Sequence, residues 1–500
     1  MSQPKLPLAA VSLLVIFATS SSCKRETLPT STTPVTRPDS LVATLSLPRG
    51  NDFSDIVTRI NDVGAPGPIV GVGAASGVIS LLGMFTSNPP DLQADQPLHL
   101  LLVGKPTGLD NVPAILLASA REGVTVKPAN DTLVVSKIGK LTMIAPKANA
   151  KTYQDYVGWL ISQPLPRQPV VRIYPSAVAT TFKDEINKGF EAILSQANNQ
   201  PKGPADLRKL LDVYRKVGGA MVEQAKWVDI RVGPKEGAFL EIASSPKTKT
   251  TFEEFLKLQR PHAFDLSKYV QGESPQFFME GDVPFGPLYE PMLDWVTEFM
   301  PMLGEDYRDA FAKLMEIWDG RMFMVMDMSG FASGLPKFSS YMAAATTKPS
   351  ASVMDKLWSS FSGKEVEMMG FKQSYEYKKR PPIHGVDVHE LITTMRVEKA
   401  PEVKQHMVSV SLDKWWLLSQ NMGSPTKAPD TLIKSLKGGG GVTSLTQRGQ
   451  KAVTWAKSNK ESLLFWADLK SLIPEKLPVS EIRLTFGARN NEAIMGIDVR

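Results

Sequence analysis

The sequence predicts an α+β fold of two similar domains, each an antiparallel sheet with covering helices, built from repeated strand-turn-helix cassettes. Three observations predict it. Strands of alternating apolar and polar residues fit antiparallel sheets better than the continuous apolar strands of parallel sheets. Amphipathic helices follow many of these strands after a short turn. The order of strand, turn and helix then recurs at spacings too long and uneven for a solenoid.

The first kind of cassette is an apolar strand, a turn rich in Pro, Lys and small residues, and an amphipathic helix. It occupies residues 141–160, 239–258, 341–361 and 416–436. Two of its helices are predicted to start at Thr251 with Glu254 and at Ser352 with Asp355, because both pairs have the spacing of a capping box.

The second kind of cassette is a strand, a loop and a helix. It occupies residues 170–194, 277–300 and 463–473, with a degenerate copy at 98–106. Between the cassettes, hydrophobic periodicity predicts a strand at 42–47 and helices at 53–63 and 207–225. Strand pairs are predicted at 227–233 with 237–243 and at 482–499, where an Asn-containing turn joins the two strands.

The N-terminus has the parts of a secretory signal: Lys5, an apolar run from Leu6 to Phe17, and small residues before Cys23. The apolar run is too short to span a bilayer, which takes about 20 residues. An ordinary signal cleavage after Ser20 would leave Cys23 as a free thiol. Cys23 is the only cysteine of the chain, so no disulfide framework is predicted.

The segment Ser20-Ser-Ser-Cys23 resembles the lipobox of bacterial lipoproteins, in which the signal is cut before the cysteine and the cysteine is acylated. It departs from the pattern at Ser20, where the family usually has Leu. The resemblance covers the signal alone and implies a membrane anchor at Cys23. Lys24, in place of Asp, implies sorting to the outer membrane rather than the inner one.

These features divide the chain into four parts. The stretch from Thr27 to Ser40 consists almost entirely of Thr, Ser and Pro, a composition that forms a flexible tether. The predicted parts are a signal peptide at 1–22, a lipid-anchored tether at 23–41, and α+β domains at 42–262 and 263–500.

Composition is that of a soluble globular protein, with 42% hydrophobic and 22% charged residues. The net charge of +6 is small for 500 residues, and the chain has no basic block with interleaved aromatic residues. Nucleic acid is therefore not a predicted partner.

An uncharged segment runs from Val63 to Pro90, and its middle, residues 69–85, is apolar and rich in small residues. Gly67/Gly71 and Gly73/Gly77 have the spacing at which membrane helices pack closely. Three interpretations stay open: a helix buried in the body, a lipid-contacting helix, and a transmembrane helix.

No catalytic or metal-binding residue is predicted. His384 and His389, the closest histidine pair, lie five residues apart on a predicted strand and would point to opposite faces. A nucleophile elbow of the form G-x-S-x-G is absent. The stretch Lys437 to Gly441 has the glycines of a phosphate loop, but its Lys precedes them, so a flexible loop is predicted. No cofactor is predicted either.

Methionines alternate in RMFMVMDMSG (321–330), and a strand would place them on one face. These four are Met322, Met324, Met326 and Met328. Thioether side chains adapt to varied apolar ligands, and they also bind Cu(I). Core packing, an apolar-ligand face and a copper site are the three interpretations.

Together the sequence predicts a non-catalytic cell-envelope lipoprotein with a binding, scaffolding or assembly role. It would be held in the outer membrane through acylated Cys23, facing the periplasm or the cell surface. Its partners would be the membrane and an envelope protein or an apolar ligand. The alternatives are a carrier or chaperone of lipids or other apolar molecules and, after that, an envelope hydrolase.

Overall fold

The structure is a computed structural model. It describes residues 36–53, 74–104, 113–147, 153–198, 219, 222–231, 240–271, 274–284, 286–290, 293–294, 304–329, 337–368, 371–397, 402–422, 428–472 and 480–499. The predicted signal peptide, Cys23, most of the tether and most of the predicted helices at 53–63 and 207–225 lie outside the described residues.

The chain divides into two compact units. Unit 1 comprises residues 1–189, 221–246 and 495–500, and unit 2 comprises residues 190–220 and 247–494. The boundary predicted between residues 262 and 263 lies within unit 2. The α+β prediction is confirmed in its coarse form, since both units combine antiparallel strands with helices.

Unit 1 is organised around one antiparallel sheet. Its strands are β1 (Leu41–Leu47), β2 (Leu98–Val103), β3 (Ala114–Ser119), β4 (Leu133–Ile138), β5 (Leu141–Pro146), β6 (Val170–Ile173), β7 (Ala225–Arg231) and β8 (Leu240–Pro246). The register of the pairs gives the order β4-β5-β3-β2-β1-β6-β7-β8. The described helices up to residue 198 are α1 (Ala74–Gly83), α2 (Tyr153–Ser162), α3 (Pro175–Thr181) and α4 (Lys183–Asn198).

Strand β1 lies in the interior of this sheet, and all seven of its residues are buried. Leu45 and Leu47 pack in a core that includes Leu81 and Leu82 of α1. Leu41, on the opposite face, packs in a second core with side chains of α2. Coverage of both faces explains why every residue of β1 is buried, including the polar Thr44 and Ser46.

Helix α1 answers part of the question left open for residues 69–85. Its Val78, Leu81 and Leu82 are buried, whereas Ile79 and, just after the helix, Met84 are 53% and 64% exposed. The described part is thus a helix with one packed side and one exposed side. Among the described residues, no helix has the length and apolar character needed to cross a membrane.

Unit 2 contains a larger antiparallel sheet. Its strands are β9 (Phe277–Asp282), β10 (Trp318–Ser329), β11 (Lys337–Thr346), β12 (Glu365–Met368), β13 (Phe371–Ile383), β14 (Val386–Val397), β15 (Val403–Leu412), β16 (Trp415–Met422), β17 (Leu463–Asp468) and β18 (Glu481–Arg489). The register gives the order β12-β13-β14-β15-β16-β11-β10-β9-β17-β18. The last strand of the chain is β19 (Glu492–Val499).

The helices of this part of the chain are α5 (Thr251–Leu258), α6 (Gly304–Ile317), α7 (Ala351–Ser359), α8 (Ala428–Lys437), α9 (Gln447–Ser458) and α10 (Leu469–Leu472). Short 3-10 turns occupy Pro89–Asp91, Leu266–Tyr269 and Gly286–Leu288. Side chains of α8 and α9 pack on one face of the unit 2 sheet, in a core that includes Phe278, Phe323 and Trp466. These three side chains are completely buried.

Each of the four segments predicted as the first kind of cassette contains a strand followed by a helix. The pairs are β5 with α2, β8 with α5, β11 with α7, and β16 with α8. The predicted caps were wrong in position. Thr250, not Thr251, caps α5 by accepting a hydrogen bond from the amide of Glu253, and Ser350 rather than Ser352 precedes α7.

The predicted turn between β18 and β19 is confirmed. Asn490 and Asn491 have φ angles of 53° and 60°. Two successive left-handed residues form the turn that matches the twist of a two-residue hairpin, and Asn accepts that conformation at small cost.

A buried histidine makes the stability of unit 1 depend on pH. His99 shares a hydrogen bond of 2.9 Å with Ser46, and burial lowers its pKa from 6.5 to about 4. The folded state therefore keeps His99 neutral while the unfolded chain takes up a proton below pH 6.5. The free energy of unfolding is therefore highest, as far as His99 is concerned, above pH 6.5, and it decreases as the pH falls from 6.5 to 4.

We predict that lowering the pH from 7 to 4 reduces the free energy of unfolding of the wild type by about 3 kcal/mol more than that of a Ser46→Ala/His99→Leu variant. Denaturant unfolding followed by circular dichroism at several pH values measures it. A difference that stays constant with pH would contradict the assignment.

Candidate apolar-ligand site

The four alternating methionines lie on strand β10, on the face opposite the buried core. Phe323 and Val325, which alternate with them, are 0% and 2% exposed and belong to that core. The four methionine side chains are only half-buried. Period-two alternation on a strand explains both observations.

Neighbouring strands extend this face with two more methionines. Met324 lies directly opposite Met279 of β9 and Met342 of β11. Residues opposite one another in an antiparallel pair share a face, and both of these side chains are also half-buried. The methionine face is defined here as Met279, Met322, Met324, Met326, Met328 and Met342.

One row of apolar side chains crosses six strands through this face. Phe465 lies opposite Met279 on one side of the row, and Leu418 lies opposite Met342 on the other. Leu484 lies opposite Phe465 at the far end. Phe277, next to the row, has its ring centre 6.0 Å from that of Phe465. The face is therefore aromatic and aliphatic as well as thioether-rich.

Helices cover the two flanks of the same sheet face. Leu463 and Phe486 pack against Phe255 and Leu256 of α5. Trp416 and Leu418, on the other flank, pack in a cluster with side chains of α6 and α7. The methionine face lies between these flanks, and none of its six side chains belongs to a core cluster formed by the described residues. Among the described residues, this arrangement forms a groove, with the two helix-covered flanks as its sides and the methionine face as its floor.

A cavity of about 310 Å³ lies where β9 ends and β10 begins. Its walls include Pro284 after β9, Met315 of α6 and Trp318 at the start of β10. Tyr289 and Glu316 also line it. The volume is at the lower end of the range of about 300–1,000 Å³ found for small-molecule pockets.

The histidine pair that was rejected as a metal site remains apart in the structure. His384, in the turn before β14, lies 2.6 Å from a carboxylate oxygen of Asp430. His389, on β14, lies 2.7 Å from the hydroxyl of Tyr377. The two histidines thus have different hydrogen-bond partners and do not converge on one site.

A buried group that sequence reasoning missed surrounds Glu280, which is 0% exposed. Its carboxylate lies 3.0 Å from Nε2 of His262 and accepts hydrogen bonds from the amides of Leu266 and Ser267. Asp265 completes a group with His262 and Glu280 whose ligand atoms lie within 4.8 Å of one another. Both oxygens of Glu280 already accept hydrogen bonds, so the arrangement fixes the loop before β9.

A second missed group joins α7 to the sheet. The hydroxyl of Tyr377 donates to Asp355, so Nδ1 of His389 donates to the same hydroxyl oxygen. Burial and the hydrogen bond to Asp355 raise the pKa of Tyr377, while the bond from Tyr377 lowers the pKa of Asp355. Ser409 lies opposite His389 on the next strand and is buried. Its hydroxyl accepts a hydrogen bond from the indole N–H of Trp416. These hydrogen bonds connect helix α7 to strands β13 and β14, which is a structural role.

The stretch Lys437 to Gly441 ends helix α8. Its four glycine amides donate to the carbonyls of Lys434, Leu436, Ser435 and Lys268. A phosphate loop needs its amides directed at the ligand, and these four are occupied. The stretch therefore does not have the geometry of a phosphate loop.

The lipidation site at Cys23 lies outside the described residues, so its anchor stays a prediction. Sequence reasoning singled out Met322, Met324, Met326 and Met328 but not the row that Met324 forms across the sheet. Pairing between distant strands creates the row, although the strand alternation around Met279 and Met342 is visible in the sequence. Comparison of the chain with family models, curated proteins and solved structures found no match.

Proposed function

We propose that this protein is a non-catalytic envelope lipoprotein that binds the acyl chain of a lipid on its methionine face. The observation that carries the proposal is the row of half-buried apolar side chains between two helix-covered flanks. Helices cover the flanks but leave the six methionines outside the described core clusters. An apolar ligand lying in this groove would complete the burial of the row.

The chemistry of the face favours a flexible hydrocarbon ligand. Methionine has three rotatable bonds and a polarisable sulfur, so a floor of methionines adjusts to chains of different length and bend. Burial of apolar surface contributes roughly 25 cal/mol per Å², so covering about 300 Å² of an acyl chain supplies roughly 7 kcal/mol before the costs of association.

The polar groups of unit 2 support the same interpretation. Glu280 alternates with Met279 on β9 and is directed into the opposite face, where backbone amides and His262 satisfy it. The side chains of the row itself carry no charge: Leu484, Phe465, Met279, Met324, Met342 and Leu418. A ligand would thus be recognised by apolar contact, with its polar end outside the row.

The anchor proposed at Cys23 would keep the body next to its ligand source. A tether from residue 24 to residue 41 reaches roughly 60 Å when fully extended. Several acyl chains on one cysteine bind far more firmly than one, because each buried CH₂ contributes about 0.8 kcal/mol. The body would then bind and release single acyl chains close to the outer membrane.

The recurring order of strand and helix supports a further part of the proposal, that the body arose by duplication of one α+β unit. Cassettes of the first kind fall in both units: β5 with α2 in unit 1, and β11 with α7 in unit 2. A body of this size buries enough surface to fold without disulfides.

We predict that 11-(dansylamino)undecanoic acid binds saturably to the chain from residue 23 to residue 500 carrying Cys23→Ser. Its fluorescence should rise and shift to shorter wavelength as the dansyl group leaves water. The variant M322Q/M324Q/M326Q should bind it at least about tenfold more weakly, because three amides on the floor lose hydrogen bonds to water when a hydrocarbon covers them.

The matched control is M322L/M324L/M326L, which keeps the volume and apolar character of the floor. It should bind the probe within a few-fold of the wild type, and circular dichroism and thermal unfolding establish that both variants fold. Absence of saturable binding by the folded wild type, or equal binding by the Gln variant, would overturn the proposal.

We predict that the mature protein, expressed in a bacterium with its own signal, begins at a lipid-modified Cys23. Mass spectrometry of the N-terminal peptide measures the added acyl mass. The Cys23→Ser variant should partition into the aqueous phase of a detergent extraction. An unmodified N-terminus at Ser21 in the wild-type protein would contradict lipid anchoring.

A further inference from the structure

We propose that Met279, Met324 and Met342 together bind one Cu(I) ion through their three thioether sulfurs. This goes beyond binding of acyl chains and uses only the centre of the methionine face. Met324 lies directly opposite both of the other methionines, so three consecutive strands each contribute one sulfur to the same row.

The geometry of an antiparallel sheet brings these sulfurs within reach of one ion. Residues directly opposite one another have Cα atoms about 4.5 or 5.5 Å apart, depending on the type of pair. Met279 and Met342 flank Met324 from its two sides, and each side chain has three rotatable bonds. Both outer side chains can therefore lean over the central one. All three are half-buried, so an ion can reach them from solvent.

The chemistry of the row selects a soft ion. Thioether sulfur is a ligand for Cu(I), whereas Mg²⁺, Ca²⁺ and Mn²⁺ prefer oxygen and Zn²⁺ commonly uses imidazole or thiolate. The residues opposite Met322 and Met326 are Gly281, Ala344, Phe277 and Ser340. These four residues carry no carboxylate or imidazole, and Glu280 is directed to the other face. Among the described residues that pair with this face, hard ions therefore find no carboxylate or imidazole ligand.

The flanking methionines lie outside the row. Met322 and Met326 are two residues before and after Met324 on the same face. Their neighbours across the sheet are not methionines. Cu(I) binding of this kind involves no electron transfer and no covalent change in the protein.

The test is competition for Cu(I) with the coloured chelator bicinchoninate, under argon with ascorbate as reductant. The protein is the chain from residue 23 to residue 500 with Cys23→Ser, because a thiol would itself bind Cu(I) and Cys23 is the only one. We expect the protein to withdraw one Cu(I) per chain from the chelator. X-ray absorption of the complex should show sulfur neighbours only.

Two triple variants locate the site. M279L/M324L/M342L removes the row and should lose the stoichiometric binding. M322L/M326L/M328L removes the same number of sulfurs from the same face and should keep it. Failure of the wild type to withdraw Cu(I), equal binding by the row variant, or equal loss in both variants would each overturn the proposal, as would nitrogen ligands in the absorption spectrum.

The same variants separate this proposal from binding of acyl chains. Leucine keeps the floor apolar, so M279L/M324L/M342L should still bind 11-(dansylamino)undecanoic acid. Loss of Cu(I) binding with retained probe binding supports both proposals. A wild type that binds the probe but not Cu(I) overturns the copper site alone.

Discussion

Successive side chains of each strand in unit 2 point to opposite faces of the sheet, so the residues that fill the core on one face determine which residues lie on the other. Phe278, Phe323 and Val325 fill a core on one face, where α8 and α9 pack. The residues between them must then project to the other face, and on β10 these are methionines. Helices α5, α6 and α7 pack on the flanks of that second face. The groove follows from a wide sheet whose second face is covered, by the helices that the structure describes, at its two sides.

Strand β9 shows how the fold keeps polar chemistry away from the groove. Phe278 is in the core, Met279 is on the methionine face, and Glu280 is buried on the core side again. A buried carboxylate is costly unless hydrogen bonds satisfy it. His262 and two backbone amides do so, and the same bonds hold the loop that leads into the strand. The alternation of β9 therefore has two consequences. Glu280 orders the loop before the strand, and the floor of the groove carries no charge from this strand.

Local patterns predicted much of this architecture. The strand with four methionines, the pair of β7 with β8 and the Asn490–Asn491 turn all depend on neighbours in sequence, and the structure contains each of them. The row from Leu484 to Leu418 depends on pairing between strands far apart in the chain, which no local pattern specifies. The contact of His262 with Glu280 is also long-range, and the cap at Thr250 was missed because Thr251 has the same spacing to an acidic residue.

The most direct test of the central claim is NMR of the chain with ¹³C-labelled methionine methyl groups, titrated with dodecanoic acid. The chain has 21 methionines, and single Met→Leu variants assign their signals. We predict that the signals of Met279, Met322, Met324, Met326 and Met342 shift together and saturate. The signal of Met143, completely buried in unit 1, should not move. Saturable shifts confined to other methionines, or none at all, would contradict a groove with a methionine floor.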